Sequence, residues 1–251
     1  MNIVIIGATS EIAIEVIKGI STKKEFNSER NNFMLVGRDS SKLNTVTNDL
    51  KIKFPKHNYM SYIQSPLEFN QHNNLLNFVV DNLKQIDLIL IAYGSLDIDS
   101  NDELNNNFIL DSLNLNFTSV VSYINIFANQ LIKQKSGTIA VIGSVAGDRV
   151  KQSNYIYGTS KGALELYLQG IRNKLFKNNV NILTIKPGFV DTKMTSDYPK
   201  NFLFASPQKV ADDILNAIKN NKDVVYTPFY WKYILKVIKS IPENIYKKLS
   251  L

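Results

Sequence analysis

The fold is decided near the N-terminus by the stretch NIVIIGATSEIA, residues 2–13. Its apolar run at residues 3–6 is typical of a parallel strand that is buried on both faces. The small residues that follow allow a tight turn into a helix, whose free backbone N–H groups suit a pyrophosphate. The stretch therefore predicts the first strand, turn and helix of a doubly wound sheet, with a candidate phosphate site at the turn.

The turn departs from the usual glycine-rich pattern, because Glu11 and Ala13 stand where two of its three glycines are expected. Ala13 still permits close packing of the helix on the strand. Glu11 would repel a pyrophosphate unless its side chain points away. The alternative is that Thr9 or Ser10 only caps the helix, without any ligand.

Beyond the turn, short apolar runs alternate with longer amphipathic ones, which predicts right-handed β-α-β units. The predicted strands are 2–6, 33–36, 59–63, 87–92, 137–142, 181–185 and 223–226. The predicted helices are 11–20, 41–53, 71–83, 111–133, 155–178 and 207–220. The fold class is therefore α/β: a single-domain Rossmann-type doubly wound parallel sheet of about seven strands.

No linker, repeat or low-complexity block divides the 251 residues. We therefore expect one dinucleotide-binding domain over 1–228 and an amphipathic C-terminal extension over 229–251. The stretch 191–206 is the longest predicted loop of the second half, and long loops in compact domains are often functional. We expect it to be a substrate loop or lid, with a disordered excursion as the alternative.

The composition excludes several kinds of site. There is no cysteine, so disulfides and thiolate metal sites are excluded. The two histidines, His57 and His72, stand in polar, Asn-rich surroundings and are expected at the surface, so we predict no metal site. No secretory signal and no apolar stretch of about 20 residues is visible, which predicts a cytoplasmic protein.

The end of the second predicted strand bears on the choice of cofactor. Arg38 comes first there and Asp39 follows it. An arginine at this place can pair with the 2′-phosphate of NADP, whereas an acidic residue would bind the ribose of NAD. The order favours NADPH over NADH. A solvated arginine at a strand end is the non-functional alternative.

Tyr157 and Lys161 form a Tyr-x-x-x-Lys spacing, of which roughly one is expected by chance with 12 tyrosines in the chain. Their surroundings carry the information. Ser144 ends a predicted strand, Asn116 lies in a long predicted helix, and Pro187 opens a Pro-Gly-Phe-Val-Asp-Thr segment at another strand end. Because ligands of open α/β sheets bind along the carboxyl edge, we expect these elements to meet there.

Together these features resemble the short-chain dehydrogenase/reductase family, in order and spacing, over nearly the whole chain. The resemblance implies that Tyr157 is the proton donor, with Lys161 at its side. It implies that Ser144 binds the substrate oxygen and that Asn116 supports a water-mediated proton relay. It also implies a set of cofactor-binding residues: Gly7, Thr9, Ser10, Glu11, Ile12, Arg38, Ala92, Tyr93, Gly94, Tyr157, Lys161, Pro187, Gly188, Val190 and Thr192.

The match departs from the family at two places near the cofactor. The family's Asn-Asn-Ala-Gly after the fourth strand reads Ile-Ala-Tyr-Gly at residues 91–94, so the asparagine that supports the sheet is absent. Gly94 retains the close approach to the cofactor. The aspartate usual near the adenine is replaced by Gln64 or Ser65.

The residue types also suit carbonyl chemistry on physical grounds. Residues four apart share a helix face, so Lys161 can lie near the Tyr157 ring. A free phenol has a pKa of about 10, and we expect the ammonium to lower the pKa of Tyr157. Ser144 and Tyr157 would jointly bind the carbonyl oxygen, where negative charge develops as hydride arrives.

Two features narrow the subfamily. The Gly-Ala-Thr-Ser-Glu-Ile turn and the C-terminal segment are shared with a branch that acts in cell-surface polysaccharide biosynthesis. The sequence resembles the keto-reductase subunits of decaprenylphosphoryl-β-D-ribose 2′-epimerases. This resemblance implies an oxidoreductase partner and a substrate in which a 2-keto furanose is attached to a polyprenyl phosphate.

The C-terminal segment predicts a basic amphipathic helix. Its apolar stripe comprises Trp231, Ile234, Leu235, Ile238 and Ile241, while Lys232, Lys236 and Lys239 share another face. Such a helix can lie in an anionic membrane surface, which would place the protein at the inner face of the membrane. The equal alternative is that the stripe packs on the domain or on a partner subunit.

The sequence is compatible with three functions. The first is NADPH-dependent reduction of a ketone on a lipid-linked sugar. The second is reduction of a soluble ketone, such as a 3-oxoacyl thioester or a nucleotide sugar, and the third is cofactor sensing without catalysis. The net charge of +7 is concentrated at the C-terminus without a reader motif, so no nucleic-acid partner is expected. The family resemblance implies a homo-oligomer, a dimer or a tetramer.

Overall fold

A computed structural model describes residues 1–26, 30–96 and 105–249, and the structural statements below concern these residues. The last two residues of the predicted C-terminal extension, 250–251, lie outside them. The division of the chain at residue 228 stays a prediction.

All seven predicted strands are present, and none of their ends moves by more than two residues. The strands are β1 (Asn2–Ile6), β2 (Asn32–Gly37), β3 (Asn58–Ile63), β4 (Leu88–Ile91), β5 (Thr138–Ile142), β6 (Asn181–Pro187) and β7 (Val224–Thr227). They form one sheet in the order β3-β2-β1-β4-β5-β6-β7, and every pairing is parallel. The predicted single-domain α/β fold is confirmed.

The helices of the described chain are α1 (Glu11–Thr22), α2 (Ser40–Lys53), α3 (His72–Leu83), α4 (Asn106–Leu113), α5 (Ser119–Gln134), α6 (Tyr155–Leu175), α7 (Pro207–Lys219), α8 (Trp231–Ser240) and α9 (Glu243–Tyr246). The helix predicted over 111–133 begins earlier, because Asn105 caps it by accepting a hydrogen bond from Asn107 N. A π-helical turn over Asn114–Thr118 separates α4 from α5. Such turns are frequent at functional sites.

The sheet is covered on both faces, as the apolar strands require. Ile3 and Ile5 contact the layer formed largely by α1, α2 and α7. Val4 and Ile6, which alternate with them, contact the layer of α3, α5 and α6. Fully burying each such side chain contributes roughly 1.5–3 kcal/mol, so β1 anchors both layers of the core.

The expectation that the two histidines lie at the surface is wrong, because both are buried. His57 Nδ1 accepts a hydrogen bond from Asn31 N at 3.1 Å. The His72 ring bonds to Ser122 Oγ at 2.8 Å and stacks on Tyr123 at 3.9 Å. Burial lowers the pKa of both rings. Asn31 and Ser122, which bond to the two rings, are distant from them in the sequence, so the composition of the surrounding segments did not reveal the burial.

Candidate active site

The strand order reverses between β1 and β4, and a cleft of about 600 Å³ opens at the carboxyl ends of the strands there. This crevice is where open α/β sheets bind ligands. Every predicted site residue lines the cleft except Asn116, which lies behind its wall. The structure therefore brings together residues from six separate parts of the chain.

Three of the predicted catalytic side chains meet in the cleft. Tyr157 and Lys161 lie one turn apart on α6, and Lys161 Nζ is 5.7 Å from the centre of the Tyr157 ring. The ammonium also donates to the carbonyl oxygen of Ile142 at 3.1 Å. Ser144 follows β5, and its Oγ accepts a hydrogen bond from Ala146 N at 3.1 Å.

The turn that carries Ser144 packs directly on the backbone of α6. A Cβ atom on Gly147 would lie 2.8 Å from Gly162 N and from the carbonyl carbon of Lys161. Real Cβ atoms essentially never approach so closely, so a side chain here would push the turn away from the helix. Gly147 thus fixes the separation between Ser144 and the Tyr157–Lys161 pair.

The expected lowering of the Tyr157 pKa is wrong. Burial raises the pKa of Tyr157 to about 12, although its hydrogen bond to Ser144 acts in the opposite direction. Burial also lowers the pKa of Lys161 to about 8. Loss of hydration therefore outweighs the attraction between the ammonium and a phenolate. At neutral pH the phenol stays protonated, which is the form that a proton donor requires.

Asn116 lies in the π-helical turn and is fully buried. Its Oδ1 accepts a hydrogen bond from Ser95 N at 3.0 Å, and its Nδ2 donates to Ser95 O at 3.0 Å. A Cβ atom on Gly94 would lie 2.9 Å from Asn116 Oδ1. The Asn116 side chain thus holds the Gly94–Ser95 backbone at the cleft wall. The relay role of Asn116 stays a prediction.

The first turn has the geometry of a phosphate cradle. Gly7 has a φ of +86°, and a Cβ atom there would lie 2.9 Å from Tyr93 N, so only glycine fits. Ser10 is the N-cap residue of α1, yet within the described chain its side chain makes no capping hydrogen bond. The capping alternative therefore lacks support at Ser10, and the N-terminus of α1 faces the cleft.

Glu11 lines the cleft, and its carboxylate is engaged by the protein itself. Its Oε1 accepts a hydrogen bond from Lys193 N at 3.0 Å, which ties the N-terminus of α1 to the 191–206 loop. The loop is also closed at its base by a bridge between Val190 and Ala205. The Glu11 carboxylate therefore has a hydrogen-bond partner in the loop at the edge of the cleft.

Arg38 and Asp39 have different tasks. Asp39 caps α2 by accepting a hydrogen bond from Lys42 N at 3.0 Å, and this bond lowers the pKa of Asp39. Arg38 is exposed and lines the cleft. The carboxylate is thus engaged in capping, while the guanidinium is available to a ligand.

Two further side chains replace the family's usual residues near the cofactor. Gln64 is 4% exposed and lines the cleft, and neither polar atom of its amide has a hydrogen-bond partner among the described residues. Such an amide offers a donor and an acceptor to an adenine ring. The Tyr93 hydroxyl bonds to Ser119 Oγ at 2.7 Å, which ties the end of β4 to α5. Gly7, Arg38 and Gln64 together fit a dinucleotide.

A buried ionic cluster beside the site was missed by sequence reasoning. Lys186, 3% exposed, contacts Asp148 Oδ1 at 2.6 Å and also the Glu165 carboxylate. The Tyr226 hydroxyl donates to Asp148 Oδ2 at 2.7 Å. These four residues, the Lys186 cluster, join the turn after Ser144 to α6, β6 and β7. The two carboxylates outweigh the effect of burial and raise the pKa of Lys186.

The other end of the cleft is walled by α8. Trp231 and Leu235 are buried, and Ile238 also lines the cleft. The Trp231 indole lies so close to Gly188 that no side chain could be accommodated there. The predicted apolar stripe of the C-terminal helix therefore packs on the domain, which is one of the two predicted locations. Among the described helices, none is long and apolar enough to cross a membrane.

A doubly wound sheet with tyrosine, lysine and serine at its switch-point cleft defines a dinucleotide-dependent type of oxidoreductase. The family model for short chain dehydrogenases matches residues 1–201, and the chain belongs to this family. An uncharacterized oxidoreductase of Mycobacterium tuberculosis is 26% identical over 178 residues, which are 71% of this chain and 72% of that protein.

Two solved structures share the fold at low identity. A short chain dehydrogenase from Burkholderia cenocepacia, solved in complex with NADP, superimposes on this chain with a TM-score of 0.79 at 16% sequence identity. The superposition covers 100% of this chain and 97% of that chain. The bulky-bulky ketone specific alcohol dehydrogenase from Comamonas testosteroni has a TM-score of 0.78 at 17% identity, with 96% and 95% covered.

Proposed function

We propose that this oxidoreductase reduces a ketone to an alcohol with NADPH. The observation that carries the proposal is the meeting of a protonated Tyr157 phenol, the Ser144 hydroxyl and the Lys161 ammonium in one cleft. A bound nicotinamide cofactor would supply the hydride that reaches the carbonyl carbon. The protein's part is to bind, orient and protonate.

Each side chain has one task in this scheme. Ser144 Oγ and the Tyr157 hydroxyl donate hydrogen bonds to the carbonyl oxygen, which gains negative charge in the transition state. The C=O π bond breaks as a C–H bond forms with the hydride and an O–H bond forms with the proton from Tyr157. The Lys161 ammonium stabilises the resulting phenolate until the phenolate regains a proton from water. Lys161 would also bind the ribose hydroxyls.

The preference for NADPH rests on Arg38. Its guanidinium is exposed in the cleft, while the neighbouring Asp39 carboxylate is engaged in capping α2. A guanidinium pairs bidentately with a phosphate. The NADP in the Burkholderia structure belongs to that protein, and it agrees with this choice.

For the substrate we propose a keto-sugar on a lipid-phosphate carrier. The α8 end of the cleft combines an apolar wall with Lys151, which forms no ion pair with any described residue. Lys151 Nζ lies 5.8 Å from the Phe189 ring centre, and burial lowers the pKa of Lys151. An apolar chain that carries a phosphate would suit both features. The resemblance to the epimerase keto-reductases points to the same substrate class.

The second candidate is a soluble ketone, for which the Comamonas alcohol dehydrogenase is a structural parallel. The test is a panel of ketones assayed with NADPH and NADH by loss of the reduced-nicotinamide absorbance. The panel compares a polyprenyl-phosphoryl 2-keto furanose with 3-oxoacyl thioesters and nucleotide keto-sugars. Turnover of the lipid-linked ketone alone supports the proposal. Turnover of a soluble ketone alone overturns the substrate assignment but keeps the reductase.

Assembly is part of the same proposal. We expect a homo-oligomer through α5 and α6, or a complex with a partner oxidoreductase that first forms the ketone. The third candidate, a sensor without catalysis, predicts NADPH binding without turnover on any ketone. The same panel, run beside a direct binding titration, separates a sensor from a reductase.

A further inference from the structure

The helix α8 has two different faces. Its inner face carries Trp231 and Leu235, which are buried against the cleft. Its outer side carries Tyr233 and Val237, and Phe229 in the turn before the helix extends this row; the three side chains are 69% (Phe229), 62% (Tyr233) and 66% (Val237) exposed. The spacing of four residues places them along one side. We call Phe229, Tyr233 and Val237, together with Lys232, Lys236 and Lys239, the outer face.

Three lysines accompany the apolar row. Lys232, Lys236 and Lys239 are all exposed, and none forms an ion pair with a described residue. The one acidic residue of the segment, Glu243, is engaged by Arg149 NH2 at 3.0 Å. The outer face is therefore apolar and positively charged at the same time.

The outer face cannot turn inward, because α8 is held in place at its C-terminal end. Arg149 donates hydrogen bonds to the carbonyl oxygens of Lys239 and Ile241, at 3.1 and 2.9 Å. Its guanidinium lies 3.9 Å from the centre of the Tyr246 ring. The Tyr246 hydroxyl in turn donates to Val150 O at 2.9 Å. The same clasp connects α8 to the turn that follows Ser144.

A neighbouring loop extends the apolar surface. The Tyr230 hydroxyl donates to Leu203 O at 3.2 Å, which holds the 191–206 loop beside the start of α8. Phe202, next to this contact, is 90% exposed. Exposed aromatic side chains beside lysines are the composition of a membrane-interface surface.

We propose that the outer face of α8 docks on the surface of an anionic bilayer. Aromatic side chains would enter the headgroup region while the lysines contact anionic lipids. A second copy of this chain fits less well, because an isologous contact would bring two sets of unpaired lysines together. The inference deepens the proposed function: α8 walls the substrate end of the cleft, so docking would present that end to a lipid-linked ketone.

The test is sedimentation of the full chain with vesicles, without cofactor or substrate. Vesicles of phosphatidylcholine with phosphatidylglycerol are compared with phosphatidylcholine alone. One variant carries Phe229→Ser, Tyr233→Ser and Val237→Ser, and a second carries Lys232→Gln, Lys236→Gln and Lys239→Gln. The matched control, Ile52→Ser with Phe176→Ser, removes two apolar side chains that are each 80% exposed elsewhere.

We expect the intact chain and the control to bind anionic vesicles at least about tenfold more tightly than neutral ones. Each outer-face variant should lose about tenfold or more, with an unchanged melting temperature. Failure of the intact chain to sediment, or equal binding by the outer-face variants, overturns the proposal. So does a fall in oligomer mass in the variants without any change in vesicle binding, which would assign the face to a second copy.

Docking and catalysis are separated by a second measurement. Because the outer face does not line the cleft, both variants should reduce a 2-keto furanose phosphate with a short, water-soluble prenyl chain at the rate of the intact chain. Vesicle binding without turnover would leave docking standing and remove the reductase proposal. Turnover without vesicle binding would leave the reductase proposal standing and remove the docking proposal.

Discussion

The Lys186 ammonium lies 2.6 Å from Asp148 Oδ1 in the interior of the protein. Asp148 follows Ser144 by four residues. This contact joins the catalytic turn to the end of β6, from which the chain runs on into the 187–192 segment. Glu165 brings α6 into the same cluster, and Tyr226 brings in β7. The elements that carry Ser144, Tyr157 and the predicted cofactor-binding residues at 187–192 are thereby held to one another around a single cation.

Removal of that cation should destabilise the protein strongly. Lys186→Met leaves the buried Asp148 carboxylate and the partly exposed Glu165 carboxylate without their cation, which costs about 3–5 kcal/mol of unfolding free energy. The measurement is urea unfolding at neutral pH. The control is Lys219→Met, whose exposed pair with Glu25 at 3.8 Å should contribute close to nothing. Equal stabilities of the two variants would contradict the role assigned to the Lys186 cluster.

Arg38→Ala should weaken NADPH selectively. Loss of a charge-assisted contact with the 2′-phosphate corresponds to about 1.5–3 kcal/mol, a rise of about tenfold to a hundredfold in the KM for NADPH. The KM for NADH should stay unchanged. The control is Lys51→Ala, which removes a positive charge from an exposed position on α2 and so tests for a nonspecific effect of net charge. An equal loss with both cofactors would show that Arg38 does not distinguish them.

The pH dependence should report Lys161. Because burial lowers the pKa of Lys161 to about 8, its ammonium is intact at neutral pH and is lost as the pH rises above that value. The Tyr157 phenol, with a pKa of about 12, stays protonated across this range. We therefore expect kcat/KM for ketone reduction to fall about tenfold per pH unit above about pH 8. A flat profile up to about pH 10 would exclude a need for the ammonium.

Glu11→Ala should loosen the 191–206 loop without unfolding the protein. The variant removes the acceptor of the Lys193 N hydrogen bond, which holds the loop to α1. Amide hydrogen exchange of this loop should become faster, while exchange in the sheet is unchanged. Glu15→Ala is the matched control, because Glu15 pairs with Lys18 within α1 and forms no ion pair with the loop in the described part of the chain. Unaltered exchange in Glu11→Ala would mean that the contact does not hold the loop.

The sheet and the main site could be predicted because their signals are local. The apolar run at residues 3–6 marks a strand buried on both faces, and the strand ends place Ser144 and Pro187 at the same edge. The residues of the Lys186 cluster gave no such signal. Asp148, Glu165 and Lys186 each resemble a solvated charge in the sequence, and only the adjacency of β5, β6 and β7 brings them together.

The failed expectation for the Tyr157 pKa and the open orientation of α8 both depend on the three-dimensional structure. The pKa of Tyr157 depends on hydration lost in the cleft, which a four-residue spacing does not reveal. The direction of α8 was equally hidden, because both of its sides carry apolar residues. Leu235 and Val237 differ little in chemistry, yet one is buried and the other exposed. The packing of Trp231 against Gly188 and the hydrogen bonds from Arg149 to the end of α8 hold the inner side against the protein.

The central claim is that Tyr157 donates the proton. Tyr157→Phe removes the hydroxyl and keeps the ring, so the cleft should retain its shape. The measurement is kcat for ketone reduction, together with the NADPH dissociation constant from titration. We predict that kcat falls about 10²–10⁴-fold while the dissociation constant changes by less than about threefold. A variant that keeps its turnover within about tenfold of the intact enzyme would contradict the assignment of Tyr157 as the acid.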